Sequence, residues 1–239
     1  QPISKWNYQI RRAEDIPWAV ARAFYIAKSG RPGPVVLDFA KNAQTALIEY
    51  QPQTVDFIRS YNPVPTPEQS AIEKAAELIN QSVKPLMLVG QGVEIAGARE
   101  ELLALAEKAQ IPFGQTMLGL SAAPTHQPLN MGMLGMHGNL APNVMTNQCD
   151  LLIAVGMRFD DRVTGDLHTY AKQAKVIHFE IDPSEVGKIV KPTVAVLGDC
   201  KQTLAQVAEL VQETKHQAWI DGFKPYAEKE YNKVIDAAL

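Results

Sequence analysis

The sequence predicts an α/β fold built on a doubly wound parallel sheet. Three observations lead there. Short apolar runs of strand length alternate with segments of helical periodicity. The residues just beyond those runs are mostly glycine or acidic, as at the carboxyl ends of parallel strands. The composition is that of an ordinary soluble domain, 46% hydrophobic and 21% charged over 239 residues. That length suffices for one large α/β domain or two small ones.

Glu14 to Lys28 spaces Ile16, Val20, Ala23, Phe24 and Ala27 at threes and fours, an amphipathic helix. Ser29-Gly30-Arg31-Pro32-Gly33-Pro34 stops it, with glycine at the C-cap and prolines beyond. Val35 to Phe39 reads as a buried strand. A single helix–strand pair cannot bury a core of its own. Tyr50 to Pro67 carries Pro52, Pro63, Pro65 and Pro67 without periodicity and reads as an interdomain linker. Thr66, with Pro67 at N1 and Gln69 at N3, has the form of a capping box opening a helix to about Ser82. Pro85 to Val89 is then a strand, Gly90-Gln91-Gly92 a tight turn, and Ala96 to Ala109 a helix. Ile111 to Thr116, Leu151 to Gly156, Val176 to Asp182 and Thr193 to Leu197 supply further strands, and Cys200 to about Glu213 a final helix of the domain. The expected division is 1–48, a linker over 49–65, a main α/β domain over 66–215, and a helical linker over 216–239. Gln1 stands where a Met would begin a chain, and Trp219 to Leu239 is helix-like without a stop. Both ends read as cut from something longer.

Bulk properties narrow the function. A net charge of −3 offers no strong field for nucleic acid or an anionic membrane. The apolar runs are far too short to span a bilayer, and no apolar leader core follows Gln1. Two cysteines without metal-ligand spacing, Cys149 and Cys200, suit free thiols in a reducing cytoplasm. No Gly-x-Ser-x-Gly, no Gly-x-x-x-x-Gly-Lys-Ser/Thr and no His-Glu-x-x-His occurs, so hydrolase, P-loop and zinc-protease chemistry have no motif here.

In doubly wound sheets ligands bind beyond the strand carboxyl ends. Gly90-Gln91-Gly92 lets a phosphate approach backbone, but Ile95 stands where a full Gly-x-Gly-x-x-Gly needs its third glycine. On that motif alone a plain βα turn is the simpler reading. Glu180 or Asp182 can accept from a ribose hydroxyl or an adenine amine. Asp182-Pro183 is equally an ordinary helix start. Arg158 and Arg162, around Asp160 and Asp161, can clamp a pyrophosphate or flavin edge. The plainer alternative is a surface ion-pair cluster. His137, set in Gly135-Met136-His137-Gly138, suggests only weakly a loop against a planar ligand. His126, His168, His178 and His216 have no partner spacing.

Together these strings resemble the acetolactate (acetohydroxyacid) synthase family of thiamine-diphosphate enzymes. Ser29 to Val35, with Asp38 and Lys41, looks like the end of that family's pyrimidine-binding domain. Leu134-Gly135-Met136-His137-Gly138 and Arg158-Phe159-Asp160-Asp161-Arg162-Val163-Thr164-Gly165 look like its FAD-contacting loops. The resemblance runs through the whole chain in order. It implies a Rossmann-like central domain with FAD lying across it. Arg31, Gly90, Gln91, Gly92, Thr116, Met117 and Leu118 would line that site. So would Gly135, Met136, His137, Gly156, Arg158, Asp160, Arg162, Val163, Glu180, Ile181, Gly198 and Asp199. Gln91 replaces a glycine found in many members, and Glu180 replaces an aspartate.

The resemblance also implies what lies elsewhere. The family's catalytic Glu would lie upstream of Gln1. Its Gly-Asp-Gly…Asn-Asn motif for diphosphate and Mg²⁺ would lie beyond Leu239. No catalytic residue or metal ligand is therefore assigned here, and the chain alone is expected to be inactive. The parent would condense two pyruvates, or pyruvate with 2-oxobutyrate, in branched-chain amino-acid synthesis. It would be a cytoplasmic homo-oligomer with a regulatory small subunit. Two alternatives are the central domain of a sister enzyme, such as a pyruvate oxidase, and a cofactor-free scaffold.

Overall fold

The structure, a computed structural model, describes residues 3–236. The ends of the 1–48 and 216–239 segments therefore lie partly outside the described residues. Two compact units divide at Val64 and Pro65.

In the smaller unit, β1 (Trp6–Ile10) pairs in parallel with β2 (Val35–Phe39), from Trp6 opposite Val35 to Ile10 opposite Phe39. Between them in sequence runs α1 (Ile16–Lys28), preceded by a 3₁₀ turn at Ala13–Asp15. A short α2 (Lys41–Thr45) follows β2. The core is small: Ile10, Ala19 and Ala43, with Tyr8, Ile16, Leu37 and Phe39 packed against it. Trp6, Tyr8 and Trp18 cluster on it, and the Arg22 guanidinium stands 5.4 Å from both the Trp6 and Trp18 ring centres. The proline-rich 46–64 stretch has no helix or strand.

The larger unit holds the expected parallel sheet. Its strands are β3 (Pro85–Val89), β4 (Phe113–Gln115), β5 (Asn130–Met133), β6 (Leu151–Val155), β7 (Lys175–Glu180) and β8 (Val194–Leu197). They lie in the order β5-β4-β3-β6-β7-β8, and every pairing is parallel. The first and fourth strands of the unit are thus neighbours, the order of a dinucleotide fold. The helices are α3 (Gln69–Gln81), α4 (Gln91–Ile95), α5 (Arg99–Lys108), α6 (Leu140–Thr146), α7 (Asp161–Thr164), α8 (Cys200–Leu210), α9 (Gln217–Asp221) and α10 (Lys224–Glu230).

Side chains alternate across the sheet and make two layers. Met87, Val89, Ile153, Val155, Ile177 and Phe179 face one layer, with Ile72 and Ile79 of α3, Leu102 and Leu105 of α5, and Leu204 and Val207 of α8. Leu86, Leu88, Leu152, Ala154 and Val176 face the other, with Ala141 and Met145 of α6, Trp219 and Phe223. The 216–239 segment thus supplies core side chains to this unit, and Trp219 Nε1 donates to the Pro85 carbonyl at 2.7 Å. Cys149 belongs to the second layer and Cys200 to the first. Burial, with Asp150 and Asp199 nearby, pushes each thiol up to about 12.

Several expectations need correction. The capping box at Thr66 does not form. The helix starts three residues later, with Glu68 at the N-cap and no side-chain cap. Gly90-Gln91-Gly92 is the first turn of α4, and the expected 96–109 helix is α5, beginning at Arg99. β1, β5 and α6 were not anticipated.

Among the described residues β1 and β2 pair only with each other, and a two-stranded sheet is marginal in water. Amide exchange measured on the chain is therefore expected to be faster in β1 and β2 than in β3, β6 and β7. Equal protection in a monomer would contradict this.

Candidate functional site

The site is built where β3 and β6 run side by side and the chain leaves them in opposite directions. Gly90 N–H donates to the Val155 carbonyl at 2.9 Å, and Gly92 N–H to the Gly156 carbonyl at 3.0 Å. These bonds bring two backbones into contact with no side chain between. A Cβ on Gly156 would lie 2.6 Å from the Gly92 Cα, and Gly156 has φ +57°, a conformation few side chains tolerate. The glycines at 90, 92 and 156 therefore serve this close approach first. On the other side, the Cys200 thiol at the start of α8 donates to the Gly92 carbonyl at 3.4 Å.

Around this junction the remaining strand ends gather. Thr116 N–H donates to the Val89 carbonyl at 2.9 Å, so the turn Met117–Gly119 sits directly beside the end of β3. Buried Gln115 supports that turn, donating to the Gly119 carbonyl at 2.9 Å. Met117 and Leu118 project outward, 62% and 67% exposed. Gly198 N–H donates to the Glu180 carbonyl at 3.0 Å, and Asp199 caps α8 by accepting from Lys201 N–H at 2.8 Å.

The loops after β5 and β6 are joined to each other. Met136 N–H donates to the Arg162 carbonyl at 2.7 Å. Gly135, at φ +101°, leaves no room for a Cβ, which would stand 2.7 Å from the same carbonyl. Arg162 Nη1 lies 3.8 Å from Met136 Sδ, and among the described residues the guanidinium has no carboxylate partner. Arg158 differs: its Nη2 pairs with Asp160 Oδ2 at 3.2 Å, while Asp160 Oδ1 caps α7 through Arg162 N–H. The ion-pair reading thus holds for Arg158 with Asp160 and fails for Arg162. Met136, His137, Arg158 and Arg162 are exposed, and Val163 is half-buried.

Glu180 is placed otherwise than a ribose ligand would be. It is 8% exposed, and its Oε1 accepts from the Ile181 and Asp182 N–H groups at 2.9 and 3.1 Å. Asp182 accepts from Ser184 N–H at 3.0 Å, so it starts the 3₁₀ turn Pro183–Glu185. Arg31 lies in the smaller unit, where its carbonyl accepts from Lys5 Nζ at 3.0 Å.

Supporting residues had no motif to reveal them. His178 is fully buried, and its Nε2 donates to the Met157 carbonyl at 2.8 Å, fixing the start of the Arg158 loop. A carbonyl can only accept, so the proton is on Nε2. Nδ1 is buried with no partner among the described residues. Burial lowers the pKa, while the Met157 carbonyl and Glu185 raise it. Asn139, Asn143 and Glu230 hold the loop after β5. The only hint in sequence was two asparagines four residues apart. A cavity of about 530 Å³, lined by Val83, Met145, His216, Trp219 and Tyr226 among others, opens at the amino ends of the strands, away from these loops. Among the described residues no group of three or more His, Cys, Asp or Glu could hold a metal, and no helix is long and apolar enough to cross a membrane.

The strand order, with every pairing parallel, defines a doubly wound α/β domain with the topology of dinucleotide folds. The chain belongs to the thiamine pyrophosphate enzyme family, whose central-domain model matches residues 72–207. It is 43% identical over 229 residues to the acetolactate synthase large subunit of Corynebacterium glutamicum, covering 93% of this chain and 36% of that protein. It is 41% identical over 218 residues to acetolactate synthase isozyme 1 large subunit of Escherichia coli, covering 91% of this chain and 38% of that one. The chain thus spans well under half the length of these relatives. A solved Mycobacterium smegmatis chain, assigned as a thiamin diphosphate-dependent enzyme, superposes with a TM-score of 0.70 at 25% identity, over 90% of this chain and 41% of that one.

Two measurements test the junction and its support. Gly156→Ala adds both a backbone collision and a positive-φ strain, and is expected to cost about 1–3 kcal/mol in urea unfolding. Gly165→Ala, at φ +58° with open space around it, is the control and should cost less. Equal losses would remove the close-approach explanation. His178 has a folded pKa below its unfolded value near 6.5, so the unfolded chain takes up the proton first. Its contribution is complete above that value and shrinks as pH falls below it. His178→Gln is expected to flatten the fall in unfolding free energy between about pH 7 and 5. An unchanged slope would count against a buried neutral ring.

Proposed function

We propose that this chain is the FAD-holding part of an acetolactate synthase large subunit. The observation that carries it is the gathering of the residues picked out by resemblance, all but Arg31, at one end of one sheet, with an Arg162 that has no carboxylate partner among the described residues beside exposed Met136. An exposed guanidinium with no carboxylate partner suits a pyrophosphate or a flavin carbonyl. Exposed Met117, Leu118 and Met136 suit the face of a flavin ring. The loops that carry Gln91 and Gly198, and the Ile181–Asp182 backbone shaped by Glu180, stand at the same strand ends and suit the rest of a dinucleotide by position. Glu180 then acts by holding that backbone.

In this reading the whole protein condenses two pyruvates, or pyruvate with 2-oxobutyrate, using thiamine diphosphate and Mg²⁺ held outside this chain. Joining two pyruvates with loss of carbon dioxide transfers no net electrons, so bound FAD serves structure. The name "large subunit" carried by the relatives supports a small-subunit partner. A cytoplasmic homo-oligomer serving branched-chain amino-acid synthesis completes the proposal. This chain's residues bind and orient the flavin and exclude water from its ring.

Flavin fluorescence during FAD titration tests the proposal. Binding is expected to be weak, because the exposed side chains of Met117, Leu118, Met136 and Arg162 lose freedom on closing over the ligand. Arg162→Ala is expected to weaken it by about 1–3 kcal/mol. Unaltered affinity in that variant would remove Arg162 from the site. A wild-type chain that leaves FAD fluorescence unchanged would favour a cofactor-free scaffold.

A further inference from the structure

The loop after β5 is held by side chains that no motif includes. Asn143, one turn into α6, meets Gly135 from both sides. Its Oδ1 accepts from the Gly135 N–H at 2.9 Å, and its Nδ2 donates to the Gly135 carbonyl at 2.9 Å and to the Asn139 carbonyl at 3.0 Å. Asn139 holds Met133: its Oδ1 accepts from the Met133 N–H at 2.8 Å, and its main-chain N–H donates to the Met133 carbonyl at 2.8 Å. Behind Asn139 stands Glu230, the last residue of α10. Its carboxylate accepts from the Leu140 N–H at 3.0 Å and from Asn139 Nδ2 at 3.3 Å. Gly135 at φ +101° is thereby locked, and Met136 N–H is presented to the Arg162 carbonyl.

From this we infer that Asn143 is the positioning residue of the Gly135–His137 loop, and that Glu230 ties the same loop to α10. The inference rests on the reading that this loop serves FAD. A terminal amide carries its acceptor and its donors on separate atoms, so it can accept from the N–H and donate to the carbonyl of the same residue at once. Residue 143 therefore sets the conformation of Gly135. The placement of Met136, His137 and the Arg162 carbonyl follows from that conformation. Because Glu230 lies 87 positions further along the chain than Asn143, a displacement of α10 reaches the loop through Asn139 and Leu140.

The test uses the 239-residue chain and two readouts. Asn143→Ala is expected to speed Gly135 amide exchange, measured by NMR, and to raise the Kd for FAD about tenfold, as the loss of a few hydrogen bonds implies. Asn143→Asp keeps the acceptor and loses the donors, and should fall between wild type and alanine in both. Glu230→Ala should speed exchange at Leu140 and weaken FAD by less. If Asn143→Ala fails to fold by circular dichroism, Asn143→Asp and Glu230→Ala carry the test. Unchanged Gly135 exchange in the Asn143 variants overturns the inference. Faster exchange with unchanged FAD affinity overturns the link from loop to cofactor. Absence of FAD binding by wild type overturns the functional reading instead, and the exchange data still decide whether Asn143 holds the loop.

Discussion

At the centre of the larger unit two stretches of bare backbone touch. The first turn of α4 lies on the residue that follows β6, with hydrogen bonds from Gly90 to Val155 and from Gly92 to Gly156. No Cβ fits there. This contact extends the β3–β6 ladder past the last strand residues and fixes where both chains turn away. The Met117–Gly119 turn is then hung on Val89, and the Arg158 loop starts from a Met157 carbonyl pinned by His178. If the contact were one side chain wider, the strand ends around it would no longer share a surface.

A second level of order is laid over this backbone frame by buried or half-buried polar side chains. Gln115 holds the turn after β4, His178 the loop after β6, Glu180 the loop after β7, and Asn143 the loop after β5. Each bonds to main chain, so each converts a flexible connection into one shape. Such support is what a site built on loops needs in order to be placed accurately. The loops themselves keep Met117, Leu118, Met136 and Arg162 exposed. Rigid backbone with free side-chain tips is the arrangement in which a ligand loses least by ordering its site.

How much of this was legible in sequence depends on where each element lies. β3, β6 and β7 are nearly continuous apolar runs because both faces of the sheet are covered, and such runs stand out. β5, Asn130-Met131-Gly132-Met133, mixes a polar residue and a glycine into four positions, and α6 contains Pro142. Neither has a period to detect. Thr66 has the residues of a cap, but the helix takes Glu68 as its N-cap instead. The strand-end glycines and Arg162 were visible because a parallel sheet dictates where to look. Asn143 and Glu230 were not, since no spacing rule relates a helix to a loop that begins eight residues earlier or to a residue 87 positions later. Glu180 was visible by position, and its role emerged only from where its oxygens go.

The two cysteines have a use that follows from their burial. A thiol reacts as its thiolate. With pKa values pushed up to about 12, Cys149 and Cys200 are almost wholly protonated near neutrality, and both are walled off from solvent. A reagent meets either sulfur only during a local opening. Cys149 lies in the layer with α6 and Trp219, and Cys200, the first residue of α8, in the layer with α3 and α5. The sheet thus carries one native stopwatch on each face, and the two labelling rates separate the loosening of one helical layer from that of the other.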